Sequence, residues 1–390
     1  MADDRGWDGR VGQRLADIRA AGRWRQPRTF DAADAVAGRV EGRSVVSFAS
    51  NDYLGLSHHP QVVAAAHEAL DRWGAGAGAA RLIVGSRPVH DELEAALAAW
   101  KGTEDAVLFP TGFAANLGVL ATLGTAGVTV LSDELNHASI IDGCRLARAD
   151  VRVYRHADLD HLAKLLADAA GPALVVTDTV FSMDGDAVDL PALVDLVAAH
   201  DALLVLDEAH AVLGPELPTP AAAGGTGQVP VLRVGTLSKT LGSLGGFVAA
   251  PKIYADLLRN AARPYIFTTA STPADMAAAL AAVRIVTSPE GDALRATLRR
   301  HVDRLRPGHP SPIIPVVLGD EATAVAAARE LEEQGLLVPA IRPPTVPPGT
   351  CRLRVALSAA HTDDQVERLA AALAAPGPLD ALGPDPGAHP

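Results

Sequence analysis

The 390-residue chain has little sulfur, few aromatic rings and few positive charges, and it lacks long apolar runs. Its two cysteines, Cys144 and Cys351, are too few for a disulfide framework or a cysteine metal cluster, which fits a reducing compartment. Both are expected to be ordinary buried thiols. Aromatic residues are 4% of the chain, so the core must be filled by Val, Leu and Ala with close backbone approach. Lys and Arg number 34 against 46 Asp and Glu, a net charge of −12. That balance argues against a general binder of nucleic acid or of an anionic membrane, because phosphate attraction needs clustered cations. No apolar run reaches the roughly 18 residues of a membrane span. The start, MADDRGWDGR, has no apolar signal segment. The expectation is a soluble cytoplasmic protein. Several catalytic signatures are missing as well: H-E-x-x-H, paired C-x-x-C, G-x-S-x-G, G-x-G-x-x-G and a Walker loop.

What is present describes a folded α/β chain, with 48% hydrophobic and 21% charged residues. Apolar residues at helical spacing predict helices over Val11–Arg25, Gln61–Trp73 and Val89–Trp100. Short apolar runs follow at Ala106–Phe109, Val128–Leu131, Val151–Tyr154, Ala173–Thr177, Leu203–Leu206 and Val231–Val234, alternating with helical stretches. Runs of this kind without strict alternation read as buried parallel strands, and the alternation as a sheet covered on both faces. After a turn near Thr287–Glu290, the pattern changes to a smaller α+β unit. The expected organisation is an N-terminal arm and part of a small domain (1–50), a large domain (51–285), a C-terminal small domain (286–375) and a disordered Pro/Gly-rich tail (376–390).

Ligands of open α/β sheets bind beyond the carboxyl ends of the strands, so residues just after each run are the candidates. Pro110-Thr111-Gly112-Phe113 opens a helix whose free N–H groups could hold a phosphate, although strand–Gly–helix is also a common plain turn. Asn136-His137-Ala138-Ser139 places an imidazole in a loop, and Phe181-Ser182 supplies a hydroxyl. Asp207-Glu208-Ala209-His210 puts an acid and an imidazole in one crevice, though a helix-capping Asp and a surface His would look the same. Gly235-Thr236-Leu237-Ser238-Lys239 sets a lysine in a loop with hydroxyls around it. A partly desolvated lysine has a lowered pKa and can bond covalently to an aldehyde. Together these are the groups pyridoxal phosphate requires: a phosphate cup, a ring-sized neighbour, a carboxylate for the pyridine nitrogen and a lysine.

In their order, NDYLGLSHHP, TGFAANLGVL, NHASIIDG, VFSMDGD, LVLDEAH, TLSK and IRPPTVPPGTCRLRV…SAAHT resemble the α-oxoamine synthases, pyridoxal-phosphate enzymes with the aspartate-aminotransferase fold (fold type I), over residues 10–375. The resemblance implies a large, mostly parallel sheet domain with a smaller α+β domain, and a homodimer with shared active sites. By position it makes Lys239 the cofactor-bound lysine, Asp207 the partner of the pyridine nitrogen and His137 the ring-stacking residue. His210 and Ser182 would hold the ring hydroxyl, and Gly112, Phe113 and Thr236 the phosphate. Thr268 and Thr269 would reach the site of the second subunit. Arg354 would grip the amino-acid carboxylate, with Arg342, Thr345 and Asn51 near it. An N-terminal arginine, Arg25 or Arg23, would complete the substrate contacts. The implied reaction is the decarboxylative condensation of an amino acid with an acyl thioester. IRPPTVPPGT favours the biotin-pathway branch, which joins L-alanine to a pimeloyl thioester of coenzyme A or a carrier protein. A glycine C-acetyltransferase, a natural-product acyltransferase or an aminotransferase of the same fold are the alternatives. One departure stands in the glycine-rich loop, where Ala79-Ala80 precede Arg81 and a hydroxyl residue is usual.

Overall fold

The computed structural model describes residues 6–217 and 229–374. The stretch 376–390, expected above to be a disordered tail, lies outside the described residues.

The apolar runs form one seven-stranded sheet. Across it lie Asp105–Phe109, Gly246–Ala250, Val231–Thr236, Leu203–Asp207, Ala173–Asp178, Thr129–Asp133 and Asp150–Tyr154. Gly246–Ala250 runs antiparallel to both of its neighbours, and the other pairings are parallel. Side chains alternate across a pleated strand, and here the two sets enter different cores. Val130, Leu174, Val176, Val205 and Val234 pack under the helix Gly112–Leu123 through Ala115, Val119 and Leu120. Leu131, Val175, Leu204 and Leu206 pack on the opposite face against Leu162 and Leu166 of Leu159–Ala167 and Leu193 and Val197 of Leu190–Ala199. Burial on both faces is why the strands read as nearly continuous apolar runs, each Val or Leu contributing about 1.5–3 kcal/mol.

Two smaller sheets sit beside this one. Ile313–Gly319 and Ala340–Ile341 flank Cys351–Ala356, both antiparallel to it. In the other, Arg43–Ser47 pairs in parallel with Leu336–Leu337, joining residues from opposite ends of the sequence. The helix Trp7–Ala20 forms where apolar spacing predicts one, but it starts earlier, ends earlier and buries none of its residues; Val11 is 51% exposed. Cys144 and Cys351 are both buried and free.

Candidate active site

Three neighbouring parallel strands each end on an aspartate: Asp133, Asp178 and Asp207. Asp178 stands directly across from Asp207 in the register. Burial and the charge of Asp207 push the Asp178 carboxyl well above its usual range, although its Oδ2 accepts the His137 N–H at 2.7 Å. Asp207 is buried with both oxygens engaged. Oδ1 accepts the Ala209 N–H at 2.9 Å, and Oδ2 accepts from Asn116 Nδ2 at 2.6 Å. With Thr111, Gly112, His137, His210, Thr236 and Lys239, these two acids line a cavity of about 230 Å³ at the carboxyl edge of the sheet.

Lys239 follows the strand Val231–Thr236 and is half-buried. Burial lowers its pKa, and Asp207 and Asp178 offset only part of that, so the amine loses its proton more readily than a free lysine. Its Nζ lies 2.9 Å from His210 Nε2, and His210 Nδ1 lies 2.6 Å from the Tyr53 hydroxyl. Tyr53 donates to Asn51 Oδ1 at 3.0 Å, so His210 Nδ1 carries the ring proton and Nε2 accepts from Lys239. Burial, then Lys239 and Arg354, keep His210 neutral. Asn51 Oδ1 also accepts from Arg354 Nη2 at 3.1 Å, and Arg354 Nε donates to the Ser182 carbonyl at 2.5 Å.

The opposite end of the cavity is the N-terminus of Gly112–Leu123. Thr111 caps it by accepting the Ala114 N–H at 3.0 Å, leaving the N–H groups of Gly112 and Phe113 outside the helical ladder. A Cβ on Gly112 would stand 3.2 Å from Thr236 Cβ, so a side chain there would crowd the cradle. Thr236 Oγ1 donates to the Gly245 carbonyl at 3.0 Å and lies 2.7 Å from Ser238 Oγ. Helix N–H groups and hydroxyls at one end, a carboxylate at the other and an amine beside them match a molecule with a phosphate, a basic ring nitrogen and an aldehyde. The donor set therefore fits pyridoxal phosphate.

Not every residue named from the sequence meets in this cavity. Ser182 is not among its lining residues, and its recorded contact there is the carbonyl that Arg354 holds. Thr268 and Thr269 line a separate, narrow pocket with Arg81 and Tyr265. Arg25 is exposed on the segment after the first helix, and Thr345 is exposed in the Pro-rich loop. Arg342 donates to the Gly22 carbonyl at 2.8 Å and pairs with Glu321 at 3.4 Å, tying that N-terminal segment down. The structure adds Tyr53, Asn116, Ser139, Asp178 and Ser238. Asp178 carries the same sign as Asp207, an acid closing an apolar strand, and Asn116 is a polar residue inside an apolar helix.

The loop that carries Ser182 is fastened from two sides. Arg352 pairs with Asp184. His156 donates from Nδ1 to Asp133 at 3.0 Å and from Nε2 to Asp186 at 2.8 Å, with its ring edge-on to Phe181. Burial alone would lower the His156 pKa, but the two carboxylates outweigh it and push it up to about 10. A pKa raised in the folded state gives stability that is complete below the unfolded value of about 6.5 and is lost as pH rises through the folded value. The stability difference between the natural chain and His156→Gln is therefore expected to be constant in mild acid and to shrink steadily from about pH 7 to about pH 10. Urea unfolding of both proteins across that range checks it; a difference that stays flat would contradict the clamp.

The family described as aminotransferase class I and II matches residues 43–373. An 8-amino-7-oxononanoate synthase of Halorhodospira halophila is 50% identical over 385 residues, covering 94% of this chain and 95% of that one. Another of that name from Methylobacterium sp. is 49% identical, covering 92% and 94%. Among solved structures, a serine palmitoyltransferase of Sphingomonas wittichii superposes with a TM-score of 0.85 at 34% identity, covering 94% of this chain and 96% of that one. A high-resolution structure of SPT with a PLP internal aldimine gives 0.87 at 30% identity, covering 94% and 97%. The 8-amino-7-oxononanoate synthase of Francisella tularensis gives 0.68 at 26%, covering 84% and 96%. The chain belongs to the class I and II aminotransferase family, and within it to the group named 8-amino-7-oxononanoate synthase.

Proposed function

We propose that the chain binds pyridoxal phosphate and condenses L-alanine with a pimeloyl thioester, giving 8-amino-7-oxononanoate, carbon dioxide and free thiol, a step of biotin biosynthesis. The observation that carries this reading is one cavity holding Lys239, Asp207, His137 and a helix N-terminus, in a chain half identical to relatives bearing that name. When bound, the cofactor supplies an aldehyde that bonds to amines and a ring that takes up the electron pair released at the amino-acid α-carbon.

The chain's own residues do the rest. Gly112, Phe113 and Thr236 anchor the phosphate, and Asp207 keeps a proton on the ring nitrogen. His137 covers the ring face, and its Nε2 donates to the acyl carbonyl oxygen. Lys239, with its lowered pKa, removes the Cα proton. Arg354, held by Asn51 and Ser182, would grip the substrate carboxylate in a two-pronged contact and so fix the orientation of the amino acid. Arg342, Thr345 and Arg25 belong to the substrate side of the proposal, and His210, which lines the cavity, to the ring hydroxyl. On this reading residues 51–285 form the cofactor lobe and the two chain ends the smaller one.

A homodimer belongs to the proposal. Thr268 and Thr269 stand outside their own cavity, next to Phe267, which is 69% exposed; Leu82, Ile83 and Val84 are exposed apolar residues of the short helical turn Arg81–Gly85. No helix among the described residues is long and apolar enough to cross a membrane. The test pairs alanine, serine or glycine with pimeloyl, acetyl or palmitoyl thioesters of coenzyme A and of carrier protein, measuring thiol release. Alanine with pimeloyl thioester should be the best pair by at least tenfold. Preference for serine with a palmitoyl donor would favour the activity of the structural neighbours, and a keto acid without thiol would make the chain an aminotransferase.

A further inference from the structure

Asn116 lies mid-helix among apolar residues and is 1% exposed. A buried amide needs partners to offset its lost hydration. Both Nδ2 protons have one: Asp207 Oδ2 at 2.6 Å and Ser139 Oγ at 2.9 Å. The carbonyl Oδ1 has none. Turning the amide over would set its oxygen 2.6 Å from a carboxylate oxygen, acceptor against acceptor, so the orphaned carbonyl is the consequence of two committed N–H donors.

The connection runs on through Ser139, which is also 1% exposed. Its backbone N–H donates to His137 Nδ1 at 3.2 Å, so that nitrogen presents a lone pair. The Ser139 hydroxyl, 2.8 Å from the same atom, then donates to it as well, while its oxygen accepts from Asn116. The His137 proton is left on Nε2.

We propose that Asn116 is a positioning residue that locks the ring-nitrogen partner and the ring-stacking residue into one unit. Its contact to Asp207 holds that carboxylate in place. Its contact to Ser139 occupies that hydroxyl's oxygen and leaves its proton for His137 Nδ1, adding to the backbone N–H in holding the tautomer whose Nε2–H can donate to a carbonyl oxygen in the cavity. The proposal rests on the roles given above to Asp207 and His137.

Three variants separate the two arms: Asn116→Ala, Ser139→Ala and Ser139→Thr. The measurements are pyridoxal-phosphate affinity by absorbance titration of protein stripped of cofactor, nitrogen NMR of histidine-labelled protein with the His137 signals assigned through His137→Gln, and kcat and KM. Asn116→Ala should weaken cofactor affinity about tenfold or more, the effect of losing a hydrogen bond to a charged group. Ser139→Ala keeps the longer backbone contact to His137 Nδ1 and loses the shorter hydroxyl one, so it should leave that affinity within about twofold, let a measurable fraction of His137 carry its proton on Nδ1 and lower kcat with the alanine KM unchanged. Ser139→Thr should restore the single tautomer and the rate. A folded Asn116→Ala protein with natural cofactor affinity, a Ser139→Ala protein with His137 still purely Nε2–H, or a Ser139→Thr protein as slow as Ser139→Ala would each overturn the proposal. Should Asn116→Ala fail to fold, the Ser139 pair decides. Failure of the natural chain to bind pyridoxal phosphate would refute the proposed function instead, and the tautomer measurement would still read the relay.

Discussion

Lys239→Ala is expected to lower kcat by about 10³–10⁴-fold while leaving the chain folded, because in the proposed function the residue both bonds the cofactor and moves the Cα proton. The fold should survive: Lys239 lies in a loop beyond its strand, and its Nζ contact is to the neutral His210. His210 would keep Tyr53 as partner. The phosphate cup at Gly112–Thr236 is untouched by the change, so pyridoxal phosphate should still bind, more weakly. The decisive measurement is borohydride reduction followed by peptide mass analysis. The natural chain should carry a pyridoxyl group on the Lys239 peptide, and the variant should carry none on any peptide. A natural protein that stays colourless with added cofactor would sink the assignment of this cavity.

Asp207→Asn should cost about 10²–10³-fold in kcat, the size expected when an ionised group set against developing charge is replaced by a neutral one. The substitution is nearly isosteric. The new amide can turn its oxygen toward Asn116 Nδ2 but then sets its NH2 against the Ala209 N–H, a local cost of about 1–3 kcal/mol that leaves the surrounding packing volume unchanged. What goes is the charge proposed to keep a proton on the pyridine nitrogen. A second effect follows at the neighbouring strand. Asp178 is pushed up first by its own burial and next by the charge of Asp207, so removing that charge should move the Asp178 titration down. Asp207→Glu, which restores the charge at a slightly altered reach, should recover part of the rate. Equal rates for the natural chain and Asp207→Asn would exclude the role given to this carboxylate.

Much of this architecture can be read from residue order. Parallel strands buried on both faces announce themselves as apolar runs, and their carboxyl ends mark where to look for Asp207, Lys239 and Gly112. The strand Gly246–Ala250 escapes such a reading, because GFVAA is short and half Gly and Ala, and only its pairing on both sides makes it a strand. Sequence order does not reveal which polar residues inside elements turn toward the cavity. Asn116 looks like one imperfection in an apolar helix until Asp207 and Ser139 are seen within hydrogen-bond reach of it. Tyr53 is another case. It sits in a turn-rich segment, yet it is fully buried and connects His210 to Asn51. The apolar stripe of Trp7–Ala20 shows the converse: periodicity predicts the helix, but nothing among the described residues buries its apolar face.

The parallel pairing of Arg43–Ser47 with Leu336–Leu337 has a consequence in time. Closing contacts across nearly the whole chain is slow, because loop entropy is lost before those contacts form. A chain emerging from synthesis has every cofactor-cavity residue once Lys239 is out. It still has neither the partner strand of Arg43–Ser47 nor Arg354, which reaches back to Asn51. Once Gly246–Ala250 has also emerged to join Asp105–Phe109 to Val231–Thr236, the Lys239 end of the cavity can take shape on a partly made chain, and the end where Arg354 is proposed to meet the amino acid's carboxylate is assembled last.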